Sequence, residues 1–473
     1  MEHSASEAQY LKMTGTPIPR LITSLAVPTI ISMLITGIYN LADTYFVSLL
    51  HSDSATAAVG VVFSLMALIQ AVGFTLGMGS GSLISRLLGR QQKEAADTVL
   101  SSGFTAAVLF GVLVTAMGLI FIDPLMAALG SSETILPYAR SYAQYILFGA
   151  PIMAASFVLN NVLRAEGHAT LSMAGITIGG ILNIVLDPIF ILREITLPFG
   201  IVLPGLNLGT AGAAIATLLS QCISFLILFS CFLTRKSILH LSVRNVARRG
   251  RQYWDIVCTG LPSFSRQGLA VIATVALNHA AMVYGDPAVA GMSVVGRVFM
   301  LIISALIGFG QGYQPVVGYN YGARRFDRVR ESFFFSLKTA SVMMGILAII
   351  GWLTAPRVIG MFGSGQMQEI GTFAMRAQCV GLLFQTLGVL SNMTFQAVGK
   401  SWQATFLSSC RQGVYFLPLI LILPRVAGLT GVEITQPLAD VCTFVTCIPF
   451  LAAFFRELKA KSAEDGGPLP ESV

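Results

Sequence analysis

Residues 77–93 read GMGSGSLISRLLGRQQK, and residues 310–326 read GQGYQPVVGYNYGARRF. Gly77, Gly79 and Gly89 of the first stretch return as Gly310, Gly312 and Gly322, each at an offset of 233. The register persists farther out, with Pro28 matched by Pro262 and Ala143-Gln144 by Ala377-Gln378, both at 234. The chain therefore says one thing twice. A soluble repeat protein is excluded by what repeats, because each copy is a set of apolar segments long enough to cross a bilayer as helix, about 20 residues. Twelve such segments lie at 18–48, 54–84, 95–121, 134–161, 169–192, 208–234, 253–284, 287–320, 330–353, 367–397, 403–424 and 431–456. Duplicated bundles of this kind are a common plan for secondary transporters, with the site near the repeats.

Composition agrees. The 473 residues are 55% hydrophobic and 11% charged, against about 25% charged in a soluble domain. Residues 1–17 are polar and lack the basic, apolar and small-residue order of a cleaved signal, so the first span reads as an uncleaved anchor. The net charge of +7 suggests nucleic acid until the cations are placed. Arg86, Arg90, Lys93, Arg164, Arg235, Arg244, Arg251, Arg324, Arg328 and Lys400 stand beside even-numbered connections, whereas the odd-numbered ones hold little beyond Arg193, Arg357 and Arg425. The positive-inside bias then puts both termini in the cytoplasm, and no nucleic-acid partner is expected. Six crossings per half return the chain to its starting side, which gives two pseudo-symmetric six-helix bundles about an axis along the membrane normal.

The organisation that follows is a first lobe at 1–240, a basic linker at 241–252, a second lobe at 253–460 and a disordered tail at 461–473. The linker reads as an interfacial helix, since Leu239, Leu241, Val243 and Val246 alternate with basic and polar residues. Residues 193–206, with Pro198, Gly200, Pro204 and Gly205, read as an extended outer loop or a short hairpin. The seven cysteines form no CxxC pair and read as packing residues.

An ionisable group inside a span costs about 2.5–3.5 kcal/mol even on the lenient insertion scale, so such groups mark function. Asp43, Asp187 and Asp440 are the acids inside spans. The alternative for each is a helix-end residue reaching the headgroups. Asn183 stands four residues before Asp187 and shares its helix face. Pro188 cannot donate to the Ile184 carbonyl and leaves an acceptor beside the acid. Carboxylate, amide and carbonyl oxygens together suit a proton or a small hard cation. Arg297 is the deepest cation of the second half; it and Asp440 read either as substrate-cavity residues or as a bundle-internal ion pair with each other. Tyr39, Met33, Phe74, Met153 and Phe157, with Asn40, sit on spans 1, 2 and 4 of the acid-bearing half. Such a mixture of aromatic faces and methionines can line a cavity for flat cations, although each residue alone reads equally as packing. No Walker A, HExxH, GxSxG or strand-borne GxGxxG occurs, so neither an enzyme nor a nucleotide-driven pump is expected.

The stretch QPVVGYNYGARRFDRV at 314–329, with IYNLADTYFV, RAEGHAT, LNIVLDPIFI and GTAGAAIAT in order, resembles the multidrug and toxic compound extrusion family over all twelve spans, in its MepA-like branch. The resemblance implies an all-α integral membrane protein with the twelve-helix MATE fold, acting as a secondary antiporter that exports amphipathic organic cations. It implies no cofactor, a coupling ion of H+ or Na+, and a first-lobe cation site on Asp43, Asn183, Asp187 and Thr217. Thr217 alone would read as a helix-packing hydroxyl. No other metal is expected, and the implied state is a monomer in the bacterial cytoplasmic membrane. A flippase for lipid-linked saccharides is the alternative within the wider superfamily; the anionic first lobe and the count of twelve spans disfavour it.

Overall fold

Apolar runs interrupted by glycine, proline and basic clusters can satisfy their backbone in a bilayer only as helices that end at those interruptions. The computed structural model, described here for residues 2–50, 52–196 and 202–464, has this form. Its helices are α1 (Glu2–Gly15), α2 (Ile18–Ser48), α3 (Asp53–Gly89), α4 (Lys93–Ile120), α5 (Ile122–Ala128), α6 (Leu136–Ala165), α7 (Ala169–Ile191), α8 (Gly209–Leu233), α9 (Gly250–Met282), α10 (Asp286–Gly322), α11 (Phe326–Gly360), α12 (Gln366–Val398), α13 (Ser401–Ser409) and α14 (Phe416–Glu464). A π-helical turn, Cys410–Tyr415, joins the last two.

Among the described residues, ten helical stretches are long and apolar enough to span a membrane. The last of them runs Ser401–Glu464 and breaks at Gly428, whose φ of 61° and ψ of −140° no helix accommodates, so it supplies two crossings. α9 is 33 residues long but carries Arg251, Asp255 and Arg266, and it makes the twelfth.

The duplication is visible in the backbone. The turn after α3 places Gln91 at φ 59°, and the turn after α10 places Arg324 at φ 58°, 233 residues later. Both are left-handed, a conformation uncommon outside glycine. A β-carbon on Gly89 would lie 2.1 Å from the Tyr319 carbonyl oxygen, and one on Gly322 would lie 2.2 Å from that of Arg86. Backbones this close admit no side chain, which is why the quoted stretches carry glycine at these two places.

Packing divides the chain into two compact units that do not coincide with the repeats. One comprises Ile31–Ile84 and Lys93–Val257. Its apolar core joins Val62, Leu65 and Ile69 of α3 to Tyr142, Ile146 and Met153 of α6 and Ala213 of α8. The other comprises the residues up to Ile30, Ser85–Gln92 and the chain from Cys258 onward. Within it the Thr29 hydroxyl donates to the Gly308 carbonyl at 2.6 Å. The signature Asn320, fully buried, donates to the Met13 carbonyl at 3.2 Å, and Arg328 donates to Asn320 Oδ1 at 3.0 Å and to the Thr16 carbonyl at 2.5 Å. The GYNYGA motif is thus a clamp on α1, a helix the polar N-terminal sequence does not announce.

The basic linker corrects the sequence expectation of an interfacial helix. Apart from one 3-10 turn at Val243–Asn245, residues 236–249 are not helical. Their backbone N–H groups are taken by side chains of the same unit: Ile238 donates to Glu166 at 3.2 Å, His240 to Asp97 at 2.7 Å, Ser242 to Ser101 at 3.2 Å and Ala247 to Ser102 at 2.9 Å. Leu239 is fully buried between these ties. Side-chain acceptors have replaced the helical ladder, and the segment lies strapped to α4 and the end of α6.

The outer loop forms a short antiparallel hairpin, Glu194–Thr196 with Val202–Pro204. Its tip, 197–201, lies outside the described residues. So does most of the expected tail, 465–473, whereas 461–464 continue α14. All seven cysteines are free.

Candidate functional site

Four helices of the first unit bring polar side chains to one place in an apolar surround. On α7 the four-residue spacing puts Asn183 and Asp187 on one face, and Asn183 Nδ2 donates to Asp187 Oδ1 at 3.0 Å. The same amide reaches Thr217 Oγ1 of α8 at 3.4 Å. Asp187 is 0% exposed, Asn183 3% and Thr217 4%. On α2 the half-buried Asp43 accepts from the Tyr142 hydroxyl of α6 at 3.2 Å. Tyr142 is fully buried. Asp43 and Asp187 lie within electrostatic reach of one another. Hydrogen bonds therefore join Asn183, Asp187 and Thr217, and Asp43 with Tyr142 stands beside them.

Three oxygens of this cluster are buried and accept no hydrogen bond: Asp43 Oδ1, Asn183 Oδ1 and Asp187 Oδ2. Buried polar atoms are ordinarily satisfied, and among the described residues no lysine or arginine pairs with either acid. Hard oxygens of this kind suit a proton shared between carboxylates or a small hard cation such as Na+. No cluster of three or more His, Cys, Asp or Glu of the sort that holds a transition metal occurs among the described residues.

The cavity candidates fare unevenly. Tyr39 lies one turn before Asp43 and packs on Gly180 of α7. Asn40 donates to the Thr36 carbonyl at 2.9 Å, and Met33 is half-buried on the same helix. Phe74 and Phe157 face each other with ring centres 4.5 Å apart. Met153 is 3% exposed and belongs to the apolar core. Arg297 and Asp440 lie in the other unit, where Arg297 is exposed on α10 and Asp440 is buried. The expected Arg297–Asp440 pair is not formed: Asp440 Oδ1 accepts from Arg411 Nε at 2.6 Å and from Gln436 Nε2 at 3.2 Å. The π-helical turn carries Arg411, and no regular helical spacing would have assigned it to Asp440.

Sequence reasoning also missed Tyr142. A signal for it existed, because Ala139, Tyr142, Ala143 and Ile146 form the buried face of α6, and a buried tyrosine hydroxyl needs a partner. The second half does not repeat these two acids. An offset of 234 carries Asp43 onto Leu277 and Asp187 onto Leu421, so the repeat has kept the scaffold and left the acids in one copy.

Comparison with known proteins reflects the duplication. The MatE family profile matches residues 28–189 and again 262–422, beginning each time at the repeated proline. The Multidrug export protein MepA of Staphylococcus aureus (strain MRSA252) is 25% identical over 417 residues, covering 88% of this chain and 89% of MepA. A solved outward-facing multidrug resistance MATE family transporter of the MOP superfamily superposes with a TM-score of 0.87 at 29% identity, over 95% of this chain and 98% of its own. MATE structures described as bent and as straight align with TM-scores of 0.86 and 0.87, at 29% and 30% identity, over 96% and 95% of this chain and 99% of each of theirs. With the profile matched twice across more than half of its length, the chain belongs to the MatE family of multidrug and toxic compound extrusion transporters.

Proposed function

We propose that this transporter is a secondary multidrug antiporter, exporting amphipathic organic cations in exchange for H+ or Na+ across a bacterial cytoplasmic membrane, with both termini cytoplasmic. The observation that carries the reading is the cluster of Asp43, Asn183 and Asp187, with three buried hydrogen-bond acceptors left open and, among the described residues, no lysine or arginine paired with either acid. Two carboxylates in an apolar site repel one another, and a bound cation relieves that repulsion. Coupling follows if the outward and inward conformations hold the cation with different affinity, since equal affinity would shift nothing. In this cycle the cation enters from outside and drives expulsion of drug, then leaves inside as drug binds. Relatives described in straight and bent forms supply the precedent for two conformations. The monomer is the working unit of the proposal, because every side chain of the cluster comes from one unit of one chain.

Reconstitution in proteoliposomes tests this. With ethidium as the probe, an imposed pH gradient or an imposed sodium gradient, applied separately, should drive dye movement against its own gradient. If neither gradient moves dye and both leave the membrane potential untouched, antiport is refuted.

A further inference from the structure

Two charged groups that the transport reading leaves unused, Glu369 and Arg376, flank the corner where α11 ends and α12 begins. Pro356 has no N–H, so the Trp352 carbonyl four residues earlier loses its helical donor. Arg376 of α12 takes up that carbonyl: its Nε donates to the Trp352 oxygen at 3.5 Å, and its guanidinium carbon stands 5.6 Å from the indole ring centre. Gln368 ties the same corner by donating to the Pro356 carbonyl at 3.0 Å. Between these side chains is a groove of about 370 Å³ lined by Pro356, Gln368, Glu369, Thr372, Phe373 and Arg376. Among the described residues Arg376 has no carboxylate partner and the exposed Glu369 no cationic one.

The order of the two charges is informative. Seven residues separate them, two turns on one helix face, or about 10 Å along the axis. Glu369 is three residues from the start of α12 at the membrane face, and Arg376 is deeper. Deeper along the same two helices stand exposed apolar side chains, Ile349 (63%) on α11 and Val380 (45%) and Leu383 (50%) on α12. A phospholipid with an amine headgroup has the same layout in either leaflet, ammonium outermost, phosphate beneath it, acyl chains below.

We propose that this groove binds one zwitterionic amine phospholipid, its phosphate on the Arg376 guanidinium, its ammonium on Glu369 and its acyl chains along the apolar stripe. The indole face and the Trp352 carbonyl fix the arginine in place, so its remaining N–H groups are presented to the phosphate without further ordering. Glu369 discriminates, attracting an ammonium and repelling a headgroup whose only charge is the phosphate. The site is independent of which side of the membrane α12 starts from, and it does not rest on the antiport reading.

Native mass spectrometry of the full-length protein, released from detergent with equal amounts of phosphatidylethanolamine and phosphatidylglycerol of matched chains, reads the proposal. The wild type should retain one phosphatidylethanolamine in preference by about fivefold, the upper worth of a partly exposed ion pair. Glu369→Gln, at an exposed position that leaves the packing intact, should bring that ratio to about one. Arg376→Gln should lower retention of both lipids, and soluble glycerophosphoethanolamine, which lacks the tails, should displace neither. Equal retention of the two lipids by the wild type, or a ratio unmoved by Glu369→Gln, overturns the assignment. Displacement by the tail-less headgroup overturns the acyl part of it.

Discussion

Asp187→Asn is expected to abolish gradient-driven dye export in proteoliposomes while the protein still reaches the membrane in normal amount. The substitution keeps the volume and keeps a hydrogen-bond acceptor for Asn183, so the α7–α8 packing around Thr217 survives. What is lost is the charge of a fully buried acid. If one cation per cycle is held by that charge, its loss uncouples export from a potential worth about 2.3 kcal/mol per 100 mV, about fiftyfold in the drug gradient that can be sustained. Asp43→Asn should act in the same direction, because Asp43 lies within electrostatic reach of Asp187. Asparagine at 187 with wild-type coupling would assign the cluster a structural role only.

The second large effect is on stability. Arg411→Ala should destabilise the protein by about 3 kcal/mol or more, because it strands the Asp440 carboxylate in the interior without its partner. The geometry makes this pair unlike a surface ion pair: the contact is 2.6 Å, and the side chains are 20% and 2% exposed. Gln436 alone would remain to hydrogen-bond the acid. Replacing both members, Arg411→Met with Asp440→Leu, should recover most of the loss, since a buried pair is often no better than well-packed apolar residues. Thermal unfolding in detergent, with the two single variants and the double, reads both outcomes. A stability for Arg411→Ala within about 0.5 kcal/mol of wild type would show that water reaches Asp440.

The membrane fold was legible because its punctuation repeats. Glycines that admit no β-carbon, as at 89 and 322, leave a mark in sequence that survives duplication. Asp43, Asn183 and Asp187 were legible for a different reason, since acids and amides stand out in apolar helices, and helical spacing joined the latter two. Thr217 entered through family resemblance alone, because one threonine among packing hydroxyls carries no signal of its own. Tyr142 lay on a legible buried face of α6, but its apolar body left it among the packing residues. The Arg411–Asp440 pair was hidden by a π-helical turn, which shifts side chains off the regular period. The linker misled because its alternation of apolar and basic residues matches an interfacial helix, while the decisive acceptors, Glu166, Asp97, Ser101 and Ser102, lie about 70 to 145 residues away in the chain. Tertiary hydrogen bonds decide such a segment, and local pattern does not record them.

The cation cluster can be tested without transport. Adding ethidium to the purified, weakly buffered protein in detergent should release protons, or release bound Na+ at a fixed pH, with a stoichiometry near one. The doubly substituted Asp43→Asn, Asp187→Asn protein should release neither while remaining folded. Equal release from the wild type and the double variant would place the coupling ion elsewhere in the molecule.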